Sequence, residues 1–193
     1  MNDTSKSLLA RVQQGESAAW DRLIELYRPM ICNWLRHHSV LEQDAEDLTQ
    51  EIMLSMMKSL PGFQHSNNRG AFRSWLRTIT VNRARDFWKS RERRLAGQGG
   101  SGFLQKLEQL EDPNSELTLQ WDQEHDAHVY RTLVEQISHE FEGSTVRAFQ
   151  MLTRDERSAQ SVAEELGMSV AAVYGAKSRV LKRMRQESAG LLE

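Results

Sequence analysis

The chain has 193 residues, of which 39% are hydrophobic, 25 are Lys or Arg and 27 are Asp or Glu, for a formal net charge of −2. That apolar content is enough to bury a core in one ordinary domain or two small ones, and it excludes a disordered tail. A single cysteine, Cys32, excludes an internal disulfide and a Cys-based zinc site and points to a reducing compartment. The N-terminal MNDTSKSLLARVQQ lacks an apolar core of signal-peptide length, and no run approaches the roughly 18 apolar residues of a membrane span. We therefore expect a soluble, cytoplasmic protein. Three prolines, eight methionines and no convincing period-2 alternation predict an all-α fold.

In chain order, residues 4–14 form a short amphipathic helix with Leu8, Leu9 and Val12 on one face, stopped near Gly15. Ser17 is placed to cap the next helix, which carries Trp20, Leu23, Ile24 and Tyr27; Pro29 either kinks it or starts another, and Met30, Ile31, Trp34 and Leu35 continue the apolar face to His37 and His38. Asp44 opens DAEDLTQEIMLSMMKSL, with Leu48, Ile52, Met56 and Leu60 as a buried row at four-residue spacing. Glu46, Asp47 and Glu51 lie in or near its first turns, where the helix dipole favours negative charge. Pro61 and Gly62 end it, and a polar loop from Gln64 to Asn68 follows.

The stretch NRGAFRSWLRTITVNRARDFWKSRERR, residues 68–94, concentrates the positive charge: Arg69, Arg73, Arg77, Arg83, Arg85, Lys89, Arg91, Arg93 and Arg94 stand against only Asp86 and Glu92. Read as a helix, Phe72, Trp75, Leu76 and Ile79 make one apolar stripe, while Arg73 with Arg77 and Arg85 with Lys89 sit four apart on other faces. Two readings fit, a solvated basic face over an aromatic core and a cationic groove that takes single-stranded nucleic acid. From residue 96 the chain turns to GQGGSG and then to acid: over 96–144 ten Asp and Glu face only Lys106 and Arg131. We read 96–126 as a flexible acidic linker, partly ordered at its distal end by Leu117, Leu119 and Trp121, between helical domains at 1–95 and 127–193.

The second domain opens on a helix bearing Val129, Leu133, Val134, Ile137 and Phe141. Gly143 breaks it and Ser144 caps a helix with Val146, Phe149, Met151 and Leu152. Ser158 or Ser161 then starts a short helix with Val162, Ala163 and Leu166, Gly167 makes a turn, and Ser169 caps a final helix carrying Lys177, Arg179, Lys182, Arg183 and Arg185. This is the helix-turn-helix pattern, although a packed C-terminal helix pair with a solvated basic face gives the same string.

DAEDLTQEIML, Phe63 and AFRSWLRTITVNRARDFW together resemble region 2 of the extracytoplasmic-function (ECF) group of sigma-70 family transcription initiation factors, and SVAAVYGAKSRVLKRMR resembles the recognition helix of that family's region 4. The resemblance covers nearly the whole chain outside 96–126. It implies a region 2 helical bundle and a region 4 helix-turn-helix, with core RNA polymerase (β′ clamp helices and β flap) and promoter DNA as partners, and an anti-sigma factor as the family's usual further partner. It implies core-polymerase contacts at Asp47, Gln50 and Glu51, whose other reading is helix-start electrostatics. For the melted minus-ten strand it implies Phe63, Asn67, Asn68, Arg73, Arg77, Asn82, Arg83 and Arg85, with the asparagines on bases and the arginines on phosphates. For the minus-thirty-five duplex it implies Tyr174, Lys177, Ser178, Arg179, Lys182 and Arg183. Tyr174 and Ala176 stand where family members often carry Lys or Arg.

Two rivals are set beside this reading. A helix-turn-helix regulator with a helical sensing domain would explain 145–185 and leave the basic stretch without a purpose. Catalysis or metal binding would draw on Asp44 with Asp47, on Glu124, His125, Asp126 and His128, or on Glu135 with His139, but a helical metal site commonly uses a Glu-x-x-His pattern, Glu135 and His139 are four apart with no repeat elsewhere, and the His125 cluster lies in the linker. We expect no cofactor, no metal and no catalytic residue.

Overall fold

The computed structural model describes residues 7–38, 40–64, 70–94 and 101–192, and every regular element among them is helical. In order they are α1 (Leu8–Gln13), α2 (Ser17–His37), α3 (Glu42–Ser59), a 3-10 turn (Leu60–Gly62), α4 (Ala71–Arg94), α5 (Ser101–Glu111), α6 (Glu116–Ser138), α7 (Gly143–Thr153), α8 (Ala159–Leu166) and α9 (Val170–Ser188).

Helix starts are fixed by local chemistry, with some shifts from expectation. Ser7 caps α1 by accepting from the Ala10 amide, and Ser169 caps α9 by accepting from Ala172. Ser158, not Ser161, caps α8. Ser17 and Ser144 lie inside their helices, after the cap positions Glu16 and Glu142, which make no side-chain cap bond. The third helix starts at Glu42 rather than Asp44, so both acids occupy its first turn. Pro29 neither starts a helix nor ends one, because α2 runs through it. It is exposed, as is Glu25 one turn earlier, so water can satisfy the carbonyl left without a donor.

Helices α2, α3 and α4 pack in series, with α1 against α2. The expected rows meet inside: Leu23, Tyr27, Ile31, Leu35, Leu48, Ile52, Met56, Phe72 and Leu76 have no exposed surface.

The flexible linker is corrected over its described part. Residues 101–111 form α5, and α6 runs unbroken through the boundary drawn at 126. The sequence FLQKLEQL carries its own helical stripe, and Phe103, Leu107 and Leu110 are buried by it. Pro113 falls in the turn between the two helices, and Ser115 restarts the chain by accepting from the Thr118 amide at 3.0 Å. Trp121, wholly buried, meets Trp34 edge-on at 5.1 Å. Acidity had suggested a solvated spacer, but the acids occupy one face of these helices and the apolar residues another.

The C-terminal helices join the same core. Helix α6 packs on α2, α5 and α9, and Val180, Met184 and Leu191 belong to the buried cluster that holds Leu8 and Leu23. A smaller cluster of Ala148, Met151, Val162, Ala163, Val173 and Ala176 holds α7, α8 and α9 together, with Gly167 in the left-handed conformation (φ 63°) between the last two. Glu187 of α9, with no exposed surface, receives Arg11 of α1 at 2.7 Å, Arg22 of α2 at 2.6 Å and Arg183 at 2.7 Å. This buried carboxylate ties the end of the chain to its beginning, joining α9 to α1 and α2 through shared guanidinium partners.

Trp121→Ala should destabilise the protein by about 3–5 kcal/mol through the cavity it leaves. At this chain length that lowers the thermal midpoint by about 10 °C, measurable by calorimetry. A midpoint within a degree of wild type would restore the spacer view of this segment.

Candidate nucleic-acid interface

Helix α4 presents its polar face beside α5 and α6. Two of its hydroxyl side chains are turned to their own backbone, Thr80 donating to the Leu76 carbonyl and Thr78 to the Ser74 carbonyl. At its start Gly70 adopts φ +76°, and a Cβ there would lie 2.8 Å from Nη2 of Arg73. Glycine therefore serves both the turn and the seat of the first arginine.

Arg73, Arg77 and Arg85 of α4 all meet acids of residues 111–126 and are already occupied. Arg73 donates through Nη1 to both oxygens of Asp126 at 2.7 Å, and its Nε stands 3.1 Å from Asp122. Arg77 donates to Asp122 at 2.9 Å, and Arg85 meets Glu111 at 2.7 Å. Arg83 is exposed and 3.8 Å from Asp86, a pair of little energetic weight. Asn82 is exposed and lines a groove of about 370 Å³ with Ser74, Arg77, Leu110, Glu111 and Pro113. Phe63 is half-buried, its ring 5.0 Å from Trp75 and 5.6 Å from Phe72, so these aromatics pack on one another and on the core. Asn67 and Asn68 lie outside the described residues, as do residues 95–100 of the expected linker.

Sequence reasoning missed a hydrogen-bonded chain beneath these pairs. Tyr27 and His125 are wholly buried, with the Tyr27 hydroxyl 3.1 Å from Nε2 of His125 and Nδ1 of His125 2.9 Å from Asp126. Burial holds His125 below the ordinary imidazole range against the pull of Asp126, so the neutral ring donates from Nδ1 to Asp126 and accepts from Tyr27. Burial works against the Asp126 carboxylate too, yet hydrogen bonds from His125 and Arg73 hold it below the ordinary carboxylate range. Burial, and then the nearby Asp126 charge, push the Tyr27 hydroxyl well up. The chain Tyr27, His125, Asp126, Arg73 thus joins α2, α6 and α4. Local spacing could not show it, because Tyr27 and His125 are 98 positions apart.

On the other side of α4, Asp47, Gln50 and Glu51 are all exposed on α3 and line a groove of about 620 Å³ with Leu54, Asp86, Phe87 and Ser90. Leu54 (48% exposed) and Met57 (38%) extend this face. The signal for them was present, since both fall outside the Leu48, Ile52, Met56 row.

In α9, Tyr174 (58% exposed), Ser178, Arg179 and Lys182 face outward and Lys177 is half-buried. Arg179 reaches Thr145 at 3.5 Å, and a Cβ added at Gly175 would meet only its guanidinium, at 3.3 Å. Arg183 is turned inward, bound to Glu140 and Glu187 at 2.7 Å each. Burial disfavours its charge, but these two carboxylates raise its pKa above the usual guanidinium value.

Residues 23–94 match the Sigma-70 region 2 family. The chain is 31% identical over 91 residues to an ECF RNA polymerase sigma-E factor of Haemophilus influenzae, covering 47% of this chain and 46% of that one. It is 29% identical over 92 residues to the RNA polymerase sigma-H factor of Pseudomonas aeruginosa (48% and 46%), and 32% identical over 88 residues to the ECF sigma factor BldN of Streptomyces coelicolor (46% and 33%). The matched part spans less than half the length of these relatives. No described helix is long and apolar enough to cross a membrane.

Because folded His125 binds its proton less readily than an unfolded histidine, its stabilising share is present above the ordinary imidazole pKa, roughly 6.5, and is lost as pH falls from there through the lowered folded pKa. The Asp126 share is lost only at lower pH, through the depressed carboxylate pKa. Urea unfolding at pH 7.5 and 5.5 should show a smaller pH dependence in His125→Gln than in wild type. An unchanged dependence would assign the effect to His38, which burial also holds low.

Proposed function

We propose that this chain is a sigma factor: a non-catalytic, cytoplasmic protein that binds core RNA polymerase and directs promoter recognition, DNA melting and transcription initiation. The observation that carries the proposal is the two-sided α4 of a Sigma-70 region 2, with a polar groove around Asn82 on one side and an acidic and apolar groove shared with α3 on the other. The relatives' printed names, all RNA polymerase sigma factors, support it.

In this reading Asp47, Gln50 and Glu51 meet the β′ clamp helices, with Leu54 and Met57 adding apolar area. The minus-ten strand is taken by Phe63, Asn67, Asn68 and Asn82 on bases and Arg73, Arg77, Arg83 and Arg85 on phosphates. A base edge needs a donor and an acceptor side by side, which the Asn82 amide supplies from an exposed position. Helix α9 enters the major groove of the minus-thirty-five duplex, with Tyr174, Lys177 and Ser178 toward bases and Arg179, Lys182 and Arg183 toward phosphates; Arg183 must first leave Glu140 and Glu187. The β flap and an anti-sigma factor are proposed as further partners.

The chain should co-purify with core RNA polymerase at low salt and support run-off transcription from its promoters. Failure to bind core would leave a helix-turn-helix regulator as the better reading. Asn82→Ala should lower open-complex formation, read by permanganate footprinting, at least about tenfold while leaving core affinity within about twofold. Equal loss of both would remove Asn82 from base contact.

A further inference from the structure

Three of the four α4 arginines assigned to phosphates hold carboxylates in the phosphates' place. Arg85 meets Glu111 at 2.7 Å, Arg77 meets Asp122 at 2.9 Å, and Arg73 meets Asp122 at 3.1 Å and Asp126 at 2.7 Å. All three acids come from one stretch, 111–126, between the end of α5 and the middle of α6. The three arginines are spread over about 18 Å of helix, at 1.5 Å per residue, and the acids follow them along it. A row of anions laid along a cationic helix is also what the backbone of a single strand presents.

Two further features make this a closure rather than chance surface pairing. The acids are carried on helices locked down by the buried Phe103, Leu107, Leu110 and Trp121, so they are held in place even when no pair is formed. Glu111, with Leu110 and Pro113, also forms one wall of the groove that contains Asn82, setting a negative charge where a nucleotide would enter. The arginines beneath are largely covered, with side-chain exposures of 17% for Arg73, 10% for Arg77 and 26% for Arg85.

We propose that residues 111–126 are an intramolecular mimic of the DNA strand, closing the α4 face of the free chain so that single-stranded DNA must displace Glu111, Asp122 and Asp126 to bind. This rests on the reading of α4 as the strand-binding helix. Acids and phosphates compete for the same guanidinium groups, so the observed affinity is the intrinsic affinity reduced by the fraction of chains that are open.

The test measures binding of a fluorescent single-stranded oligonucleotide of about 12 nucleotides to the full chain by anisotropy across a salt series. The variant Glu111→Gln, Asp122→Asn, Asp126→Asn should bind at least about tenfold tighter than wild type. With up to three cations released to phosphates, its log–log salt slope should steepen by about 2. A control variant, Asp21→Asn, Glu25→Gln, Glu135→Gln, makes the same change in net charge at exposed carboxylates elsewhere and should gain far less. Glu111→Gln alone, at a half-exposed carboxylate, should gain about threefold with unchanged helicity and midpoint, which keeps the test valid if the triple variant loosens. Equal gains in test and control sets, or no gain for Glu111→Gln over Glu25→Gln, would overturn the proposal. If all these proteins bind alike while Arg85→Ala weakens binding, α4 binds DNA and the closure is wrong. If Arg85→Ala changes nothing in any background, the strand-binding reading fails and the closure with it.

Discussion

A helix as cationic as α4 packs beside other helices only if its guanidinium groups are neutralised where they lose water. Desolvating an unpaired charge costs several kcal/mol, whereas an arginine that keeps a carboxylate at hydrogen-bonding distance loses far less. Asp122 and Asp126 meet that condition at the α4–α6 contact, and Glu111 meets it at the α5 end. His125 and Tyr27 then fix Asp126 from beneath, so the same carboxylate belongs both to the charged surface and to the buried core.

This constraint explains why a stretch that is acidic overall is nonetheless folded. Its apolar residues, Phe103, Leu107, Leu110 and Trp121, fill the core, and its acids meet α4. The Arg11, Arg22, Arg183 and Glu187 cluster does for α9 what the α4 pairs do for α6, joining distant parts of the chain through a buried ion network. Both networks use residues whose types are also suited to binding DNA. The charges that hold the structure closed and those available to a nucleic acid are thus partly the same atoms.

On the opposite side lies the α3–α4 groove. Asp47, Gln50 and Glu51 stand exposed beside Leu54 and Met57, a mixture of charge and apolar surface that suits a protein partner more than a nucleic acid. Helix α4 therefore separates two chemically distinct surfaces.

What the sequence determined by itself was mostly periodic or local. The four-residue row of α3, the apolar stripe Phe72, Leu76 of α4, the cap at Ser169 and the left-handed turn at Gly167 all follow from spacing and residue type, and so did the resemblance to sigma-70 region 2. Only the tertiary structure decided that 101–126 is core rather than spacer, because composition averages over faces that a helix keeps apart. It alone showed which arginines are occupied, since Arg73 and Asp126 are 53 residues apart and nothing local to either names the other. The same holds for Glu187, a carboxylate indistinguishable in sequence from a solvated one, whose three arginine partners are supplied by α1, α2 and α9 once the helices close. Periodicity reports which face of an element is apolar; the partners of its charged faces are set by the path of the whole chain.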